Sequence, residues 1–317
     1  MWARKKAEKI GAGTGLSATI LFVNLMTEPS YRRWRWKNRD FRYRFFLRSL
    51  LVWPRTTFRY LQGLCELDEL ERLLEASPVL PVKPHRPYLY RGASVHMRAR
   101  AVLGHYWFVQ QLPDVLRQTL QTYRETLLIS SEGKDGERLD ITCGPCGFDR
   151  EGELMLALYF KGVAVTRISF SFIRWRGTNT LFIGGLQGPR GTGPDIIRQA
   201  TRICYGLFPR RVLCEAVAVL AKACWLDTIM AVSEDNHVLR HSRYVLRKQG
   251  RFVARYSECW MSVGGMDAGD GFYCLPVPLP RKAVEDIPIR KRAEYRRRYA
   301  LLDSISAGIQ ARLNVSG

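Results

Sequence analysis

The apolar positions of this chain change period along its length. Between residues 56 and 76, Phe58, Leu61, Leu64, Leu67, Leu70, Leu73 and Leu74 recur at helical spacing, and Ser77-Pro78 stops them. A proline-rich link runs from Pro78 to Tyr88. Ser94 is placed to cap a helix carrying Val95, Ala99, Val102, Leu103, Tyr106 and Trp107, and Leu112 to Tyr123 predicts another that starts near Pro113-Asp114. The period then shortens. Leu127 to Ile129, Leu139 to Thr142, Leu154 to Phe160, Val163 to Phe172 and Leu181 to Leu186 read as strands between turns such as GKDGER and RWRGTNT. Two helical patterns come next, then an apolar strand from Thr228 to Val232. The pattern predicts a helix from His237 to Gln249, strands around Arg251 to Val263, and a last helix from about Ile289 to Leu313. This is an α+β layout with a mixed sheet flanked by helices and a mostly helical N-terminal portion. Three segments result: 1–55, 56–124 and 125–317, with the proline-rich link as the clearest boundary.

Charge changes the picture of the ends. Fifty Lys plus Arg against twenty-nine Asp plus Glu give +21, which favours anionic partners. Tyr31 to Arg48 holds eight basic residues and one acid among Trp, Tyr and Phe, and RKRAEYRRRY (Arg290 to Tyr299) is a second cluster. The expected partners are an anionic membrane surface for the first cluster and a phosphate-bearing small molecule elsewhere. Nucleic acid is not the expected partner, because the positive residues sit at the two ends and no recognisable binding module accompanies them. Met1 to Lys9 is basic and Ile10 to Met26 uncharged, the outline of a signal peptide. The small-x-small cleavage pattern is missing, so a packed or membrane-surface segment is expected, on a cytoplasmic protein peripheral to the inner membrane. Eight scattered cysteines suit a reducing compartment. Cys143-Gly144-Pro145-Cys146 has dithiol spacing, but a turn sequence comes after it where a redox site needs a helix, so a hairpin loop is expected. His237 and His241 would share a helix face, yet no third ligand accompanies them and no metal is expected.

The glycine-rich turn after Leu186 carries the candidate chemistry. Strand, glycine loop and helix in that order suit an anion, because amides at a helix start point outward and glycine lets the backbone approach. Gln187, Gly188, Arg190, Gly191 and Gly193 approximate the acyl-CoA pyrophosphate loop of the GNAT acetyltransferases. Asn236, Tyr244 and Gly250-Arg251-Phe252 resemble the Asn, Tyr and Gly-Phe positions that come after the next strand in that fold. The resemblance implies a GNAT-like sheet, acyl-CoA as the bound thioester, Glu234, Asp235 or His237 as base, and Tyr244 as acid on the leaving thiolate.

Longer blocks carry a second likeness. IGGLQGP (Ile183 to Pro189), IIRQATRICYGLFPRRVL (Ile196 to Leu213), AVSEDNHV (Ala231 to Val238), RYSECWMSVGG (Arg255 to Gly265) and KRAEYRRRYALLD (Lys291 to Asp303) resemble the bacterial VirK/YbjX family over roughly residues 35 to 310. That family commonly has Tyr-Asp where this chain has Tyr256-Ser257. The resemblance implies a Gram-negative protein linked to virulence and cell-envelope integrity, of no settled reaction. Two functions stand side by side: acyl transfer from acyl-CoA to an envelope-related acceptor, and a non-enzymatic peripheral membrane or chaperone-like role.

Overall fold

In a computed structural model of the chain, the residues described are 17–29, 34–189, 191, 194–241 and 255–314. Five strands form an antiparallel meander: β1 (Thr126–Glu132), β2 (Arg138–Pro145), β3 (Leu154–Phe160), β4 (Val163–Trp175) and β5 (Thr178–Gln187). The chain then crosses over through α7 (Pro194–Ile203) and α8 (Pro209–Ala223) and returns as β6 (Ile229–Val232), parallel to β5. A short helix α9 (Tyr256–Ser262) precedes β7 (Met266–Asp267) and β8 (Phe272–Leu275), and the sheet order is β1-β2-β3-β4-β5-β6-β8-β7. The architecture is mixed α+β, with an eight-stranded, mostly antiparallel sheet.

Alternation explains the covered face. Leu139, Ile141 and Cys143 of β2 stand opposite Phe160, Leu158 and Leu156 of β3, and all six are buried. Asp140, Thr142 and Tyr159 take the other parity and stay half-buried. Over the apolar face lie α8, packed on β3 and β4, and α10 (Ile289–Arg312), packed on β1 and α8. Leu301, Leu302, Ile305 and Ile309 give α10 its buried stripe at helical spacing.

β4 outruns β3, whose register with it starts at Leu154↔Phe170, and α5 (Val95–Gln110) lies along the overhang. The Phe172 N–H donates to His105 Nδ1 at 3.2 Å, and the two rings stack 5.5 Å apart. Burial lowers His105 to about 4, so its imidazole is neutral and able to accept that bond. Ser94 caps α5 as expected, accepting from Met97 N at 3.2 Å.

The N-terminal portion contributes α1 (Ala18–Thr27), α2 (Arg39–Leu47), α3 (Pro54–Cys65), α4 (Leu70–Ala76) and, after α5, α6 (Asp114–Thr119). The single helix expected over 56–76 is two, because Glu69 takes φ 57 and turns the chain between α3 and α4. The proline-rich link is buried structure, a 3-10 helix over Leu80–His85 with all six residues inside. Tyr60 Oη donates to Leu80 O at 2.7 Å and holds it against α3. The strands expected around Arg251 to Val263 are instead α9 from Tyr256 onward. Tyr256, Cys259 and Trp260 share its buried face, and Trp260 Nε1 donates to Val232 O at 2.7 Å. Of the helix expected from His237 to Gln249, the described part is one 3-10 turn, Val238–Arg240; residues 242 to 250 lie outside the described residues. No helix among the described residues is long and apolar enough to cross a membrane.

Candidate functional site

The parallel pair β5–β6 holds for three residue pairs, Leu181↔Ile229, Phe182↔Met230 and Ile183↔Ala231, and pairs no further. At the same level β5 slips against β4: Phe170 faces Ile183 and Ser169 faces Gly185, so Gly184 is a bulge. A fork opens there, and the glycines admit its contents. A Cβ on Gly184 would lie 2.0 Å from the Glu151 carbonyl oxygen, and one on Gly185 would lie 2.0 Å from Glu151 Oε2. The Ile183-Gly184-Gly185-Leu186 sequence is therefore the surface on which the Glu151 loop rests.

Four side chains meet in this fork. Gln187 Nε2 donates to Glu151 Oε1 at 2.8 Å and lies 3.2 Å from Tyr256 Oη. His237 Nε2 is 3.3 Å from the same Glu151 oxygen, and both side chains are within 3% of full burial. His237 Nδ1 accepts from Leu239 N–H at 3.3 Å, which leaves the ring proton on Nε2, facing the carboxylate. Glu151 Oε2 has no hydrogen-bond partner among the described residues. Tyr256 also bonds the Leu186 backbone, and its hydroxyl is pushed well above the usual phenol range by burial, then by the Glu151 charge. The arrangement holds a buried carboxylate, a histidine proton and a protonated phenol beside an unpaired strand edge.

Two residues on, Glu153 serves a different end. Its oxygens take Lys83 Nζ at 2.6 Å, Tyr88 Oη at 2.8 Å and Tyr106 Oη at 2.8 Å, all buried. Burial raises its carboxyl most, but Lys83 and His105, with the hydrogen bonds from Lys83 and Tyr106, together outweigh that, and the net shift is downward. These bonds fasten the Leu80–His85 turn and α5 to the sheet.

Of the residues expected at a site, Gln187 and His237 come together in the fork. Glu234 does not join them: its Oε2 accepts from Ser257 N at 2.9 Å and Ser257 Oγ at 2.7 Å, capping α9. Burial raises the Glu234 carboxyl, but the Ser257 bonds bring it below the usual range. Asp235 is exposed in the turn, and so is Gly188, whose carbonyl accepts from Arg167 at 3.2 Å. Gly191 has φ +71 and is exposed, while Arg190, Gly193 and Tyr244 lie outside the described residues. Cys143 ends up in β2 and Cys146 in the turn after it; burial pushes both thiols up to about 12, where they are protonated at neutral pH.

Sequence reasoning missed Glu151 and Tyr256. The turn FDREGE gives no sign that its middle acid is buried. Tyr256 did carry a signal, since it stands four residues before Trp260 in a block of otherwise helical character.

A family model described as "Protein of unknown function (DUF535)" matches residues 34–311. The chain belongs to this DUF535 family. It is 36% identical over 295 residues to the uncharacterized protein YbjX of Escherichia coli (strain K12), covering 92% of this chain and 88% of that one. Two uncharacterized proteins of Haemophilus influenzae (strain Rd) are similar over shorter spans. One is 29% identical over 143 residues, 45% of this chain and 46% of its own; the other is 28% identical over 140 residues, 43% and 45%. The DUF535 span contains the whole fork, from Glu151 to Tyr256, and leaves α1 outside.

Proposed function

We propose that the β5–β6 fork is the thioester site of a GNAT-like acyltransferase that uses acyl-CoA. The observation that carries this reading is a parallel strand pair whose pairing ends beside a bulged glycine, with the buried Glu151 Oε2 lacking a hydrogen-bond partner among the described residues there. In this reading the edge of β5 beyond Ile183, apart from the Leu186 amide that Tyr256 holds, faces the pantetheine arm, and the N-terminus of α7 favours the diphosphate. In the reaction the acceptor nucleophile attacks the thioester carbonyl. The new acyl bond forms, the C–S bond breaks, the acceptor proton passes to Glu151 with His237 beside it, and Tyr256 protonates the departing thiolate. A backbone amide at the Gly184 bulge polarises the carbonyl oxygen. In this reading His237 keeps its place in the chemistry, Tyr256 takes the acid role expected of Tyr244, and Glu234 holds α9. Titration calorimetry with acetyl-CoA and a long-chain acyl-CoA tests it. Wild type binds at least one of them, and Gly191→Asp, which sets a carboxylate and a Cβ at φ +71 beside the diphosphate, weakens binding by about tenfold or more. Absence of binding, or binding indifferent to the substitution, overturns the reading.

A second reading concerns where the protein works, and exposed apolar side chains favour it. Leu51 is 74% exposed, Val52 55%, Val23 48% and Ile20 46%. Phe22 of α1 contacts Phe45 and Phe46 of α2, joining these residues into one region flanked by exposed Arg39, Arg44 and Arg55. We propose that this region lies on an anionic membrane surface. Co-sedimentation with phosphatidylglycerol vesicles is expected to fall with salt and to drop several-fold in the double variant Leu51→Asp, Val52→Asp. Equal binding to phosphatidylcholine, or an unaffected double variant, overturns it.

A further inference from the structure

A cavity of about 510 Å³ lies beside the fork, and nothing in the reading of the thioester site uses it. Its apolar part is an aromatic cluster: Trp175 and Phe272 ring centroids are 4.9 Å apart, and Tyr90 meets them at 5.8 and 5.2 Å. Four arginines line the same cavity, Arg98 and Arg100 from α5, Arg174 from the end of β4 and Arg176 from the turn after it. Arg98 is 8% exposed, whereas Arg100, Arg174 and Arg176 reach solvent. Asp270, 3.7 Å from Arg176, is the one carboxylate among the lining residues, against four arginines. Sequence reasoning saw no site here, because these arginines come from two separated segments and only α5 packing on β4 unites them.

The cavity and the fork share a wall. Tyr88, Leu89 and Tyr90 line the cavity, and Leu89 takes φ 68. The Leu89 amide donates to Arg150 O at 2.7 Å, next to Glu151, and its carbonyl oxygen lies 3.1 Å from where a Cβ on Gly184 would stand. A molecule held in the cavity thus lies one backbone segment away from the bulge.

We propose that this cavity binds an anionic amphiphile, a phosphate group borne on an apolar chain, and that this is the chemical class of the acyl acceptor. The apolar chain lies on Tyr90, Trp175 and Phe272, and the phosphate is taken by Arg100 and Arg174 with Arg98 behind them. A volume of about 510 Å³ suits a chain of medium length with its headgroup. The acceptor role rests on the acyltransferase reading of the fork; the binding does not.

Calorimetry on the full chain tests the binding with dodecyl phosphate below its micelle concentration, inorganic phosphate and dodecyl maltoside. Dodecyl phosphate is expected to bind, inorganic phosphate alone far more weakly, and the neutral maltoside not at all. Arg100→Gln and Arg174→Gln, both exposed and therefore compatible with folding, are each expected to weaken dodecyl phosphate by about tenfold. Binding of inorganic phosphate as tight as dodecyl phosphate, equal binding of the maltoside, or indifference to both arginine variants overturns the proposal. Acyl-CoA binding without dodecyl phosphate binding removes the cavity and leaves the fork. Dodecyl phosphate binding without acyl-CoA binding supports the cavity as a ligand site and removes the fork as its source of acyl groups.

Discussion

Replacing Lys83 with methionine is expected to cost about 3–5 kcal/mol of folding stability. Lys83 and Glu153 are both buried, and their atoms meet at 2.6 Å. Methionine keeps the volume of the stem and removes the charge, so Glu153 is left as a buried carboxylate with two phenols for company. The phenols satisfy hydrogen bonds but cannot neutralise the charge. Adding Glu153→Gln to Lys83→Met is therefore expected to recover most of the loss, since the amide oxygen accepts from one of the two phenols, its NH2 donates to the other, and the group carries no charge. The linkage has a definite sign. The folded-state Glu153 pKa is depressed, so its contribution is present above the ordinary carboxylate range and is lost as pH falls through the folded value. Without Lys83 the shift reverses, and the variant gains relative to wild type as acid protonates the lone carboxyl. Urea unfolding at neutral and mildly acid pH reads both effects. A loss below about 1 kcal/mol for Lys83→Met would mean that water reaches the pair.

The parts of this fold legible in the sequence were those whose signal is local. β1 to β5 and β6 announced themselves by short apolar runs between turns, α5 by Ser94, and α10 by a helical pattern from about Ile289 to Leu313. Glu69 was not legible as a break, because a left-handed acid leaves no mark on a leucine repeat that runs through it. The proline-rich link reads as a boundary, yet it is buried because Lys83 at its centre has a partner seventy positions away. The same limit governs the candidate site. Gln187 was found because it closes β5, and His237 because it lies in the polar turn that comes after β6. Glu151 was not, since a charged residue in a polar turn is ordinarily solvated, and only the missing side chains of Gly184 and Gly185 make room for it. Tyr256 left only its place four residues before Trp260 as a signal, and Tyr244, which spacing along the chain singled out, lies outside the described residues.

Tyr256→Phe and Glu151→Gln are expected to separate the two proton transfers of the proposed reaction. Tyr256 stays protonated far above neutral pH, since burial and the Glu151 charge both oppose the phenolate. It holds its proton at neutral pH and is unsuited to take another, so the proposed reaction sets it beside the leaving thiolate and Glu151 beside the nucleophile. With water as the acceptor, thiol release from acyl-CoA reports the chemistry without knowledge of the natural acceptor. Each variant is expected to lower that rate by about 10²-fold or more while acyl-CoA affinity changes little. A thioester with an aromatic thiol as its leaving group distinguishes them, because such a thiolate departs without protonation. The Tyr256→Phe defect should then shrink toward wild type, whereas the Glu151→Gln defect should persist, since attack still needs the nucleophile's proton removed. Equal rescue of both, or of neither, would place the two residues in a merely structural contact through Gln187, which touches Glu151 at 2.8 Å and Tyr256 at 3.2 Å. A Gln187→Ala variant would in that case reproduce both defects, as loss of a shared support must. In the acid–base assignment it does not, because each proton is carried by a group of its own and Gln187 only sets their positions.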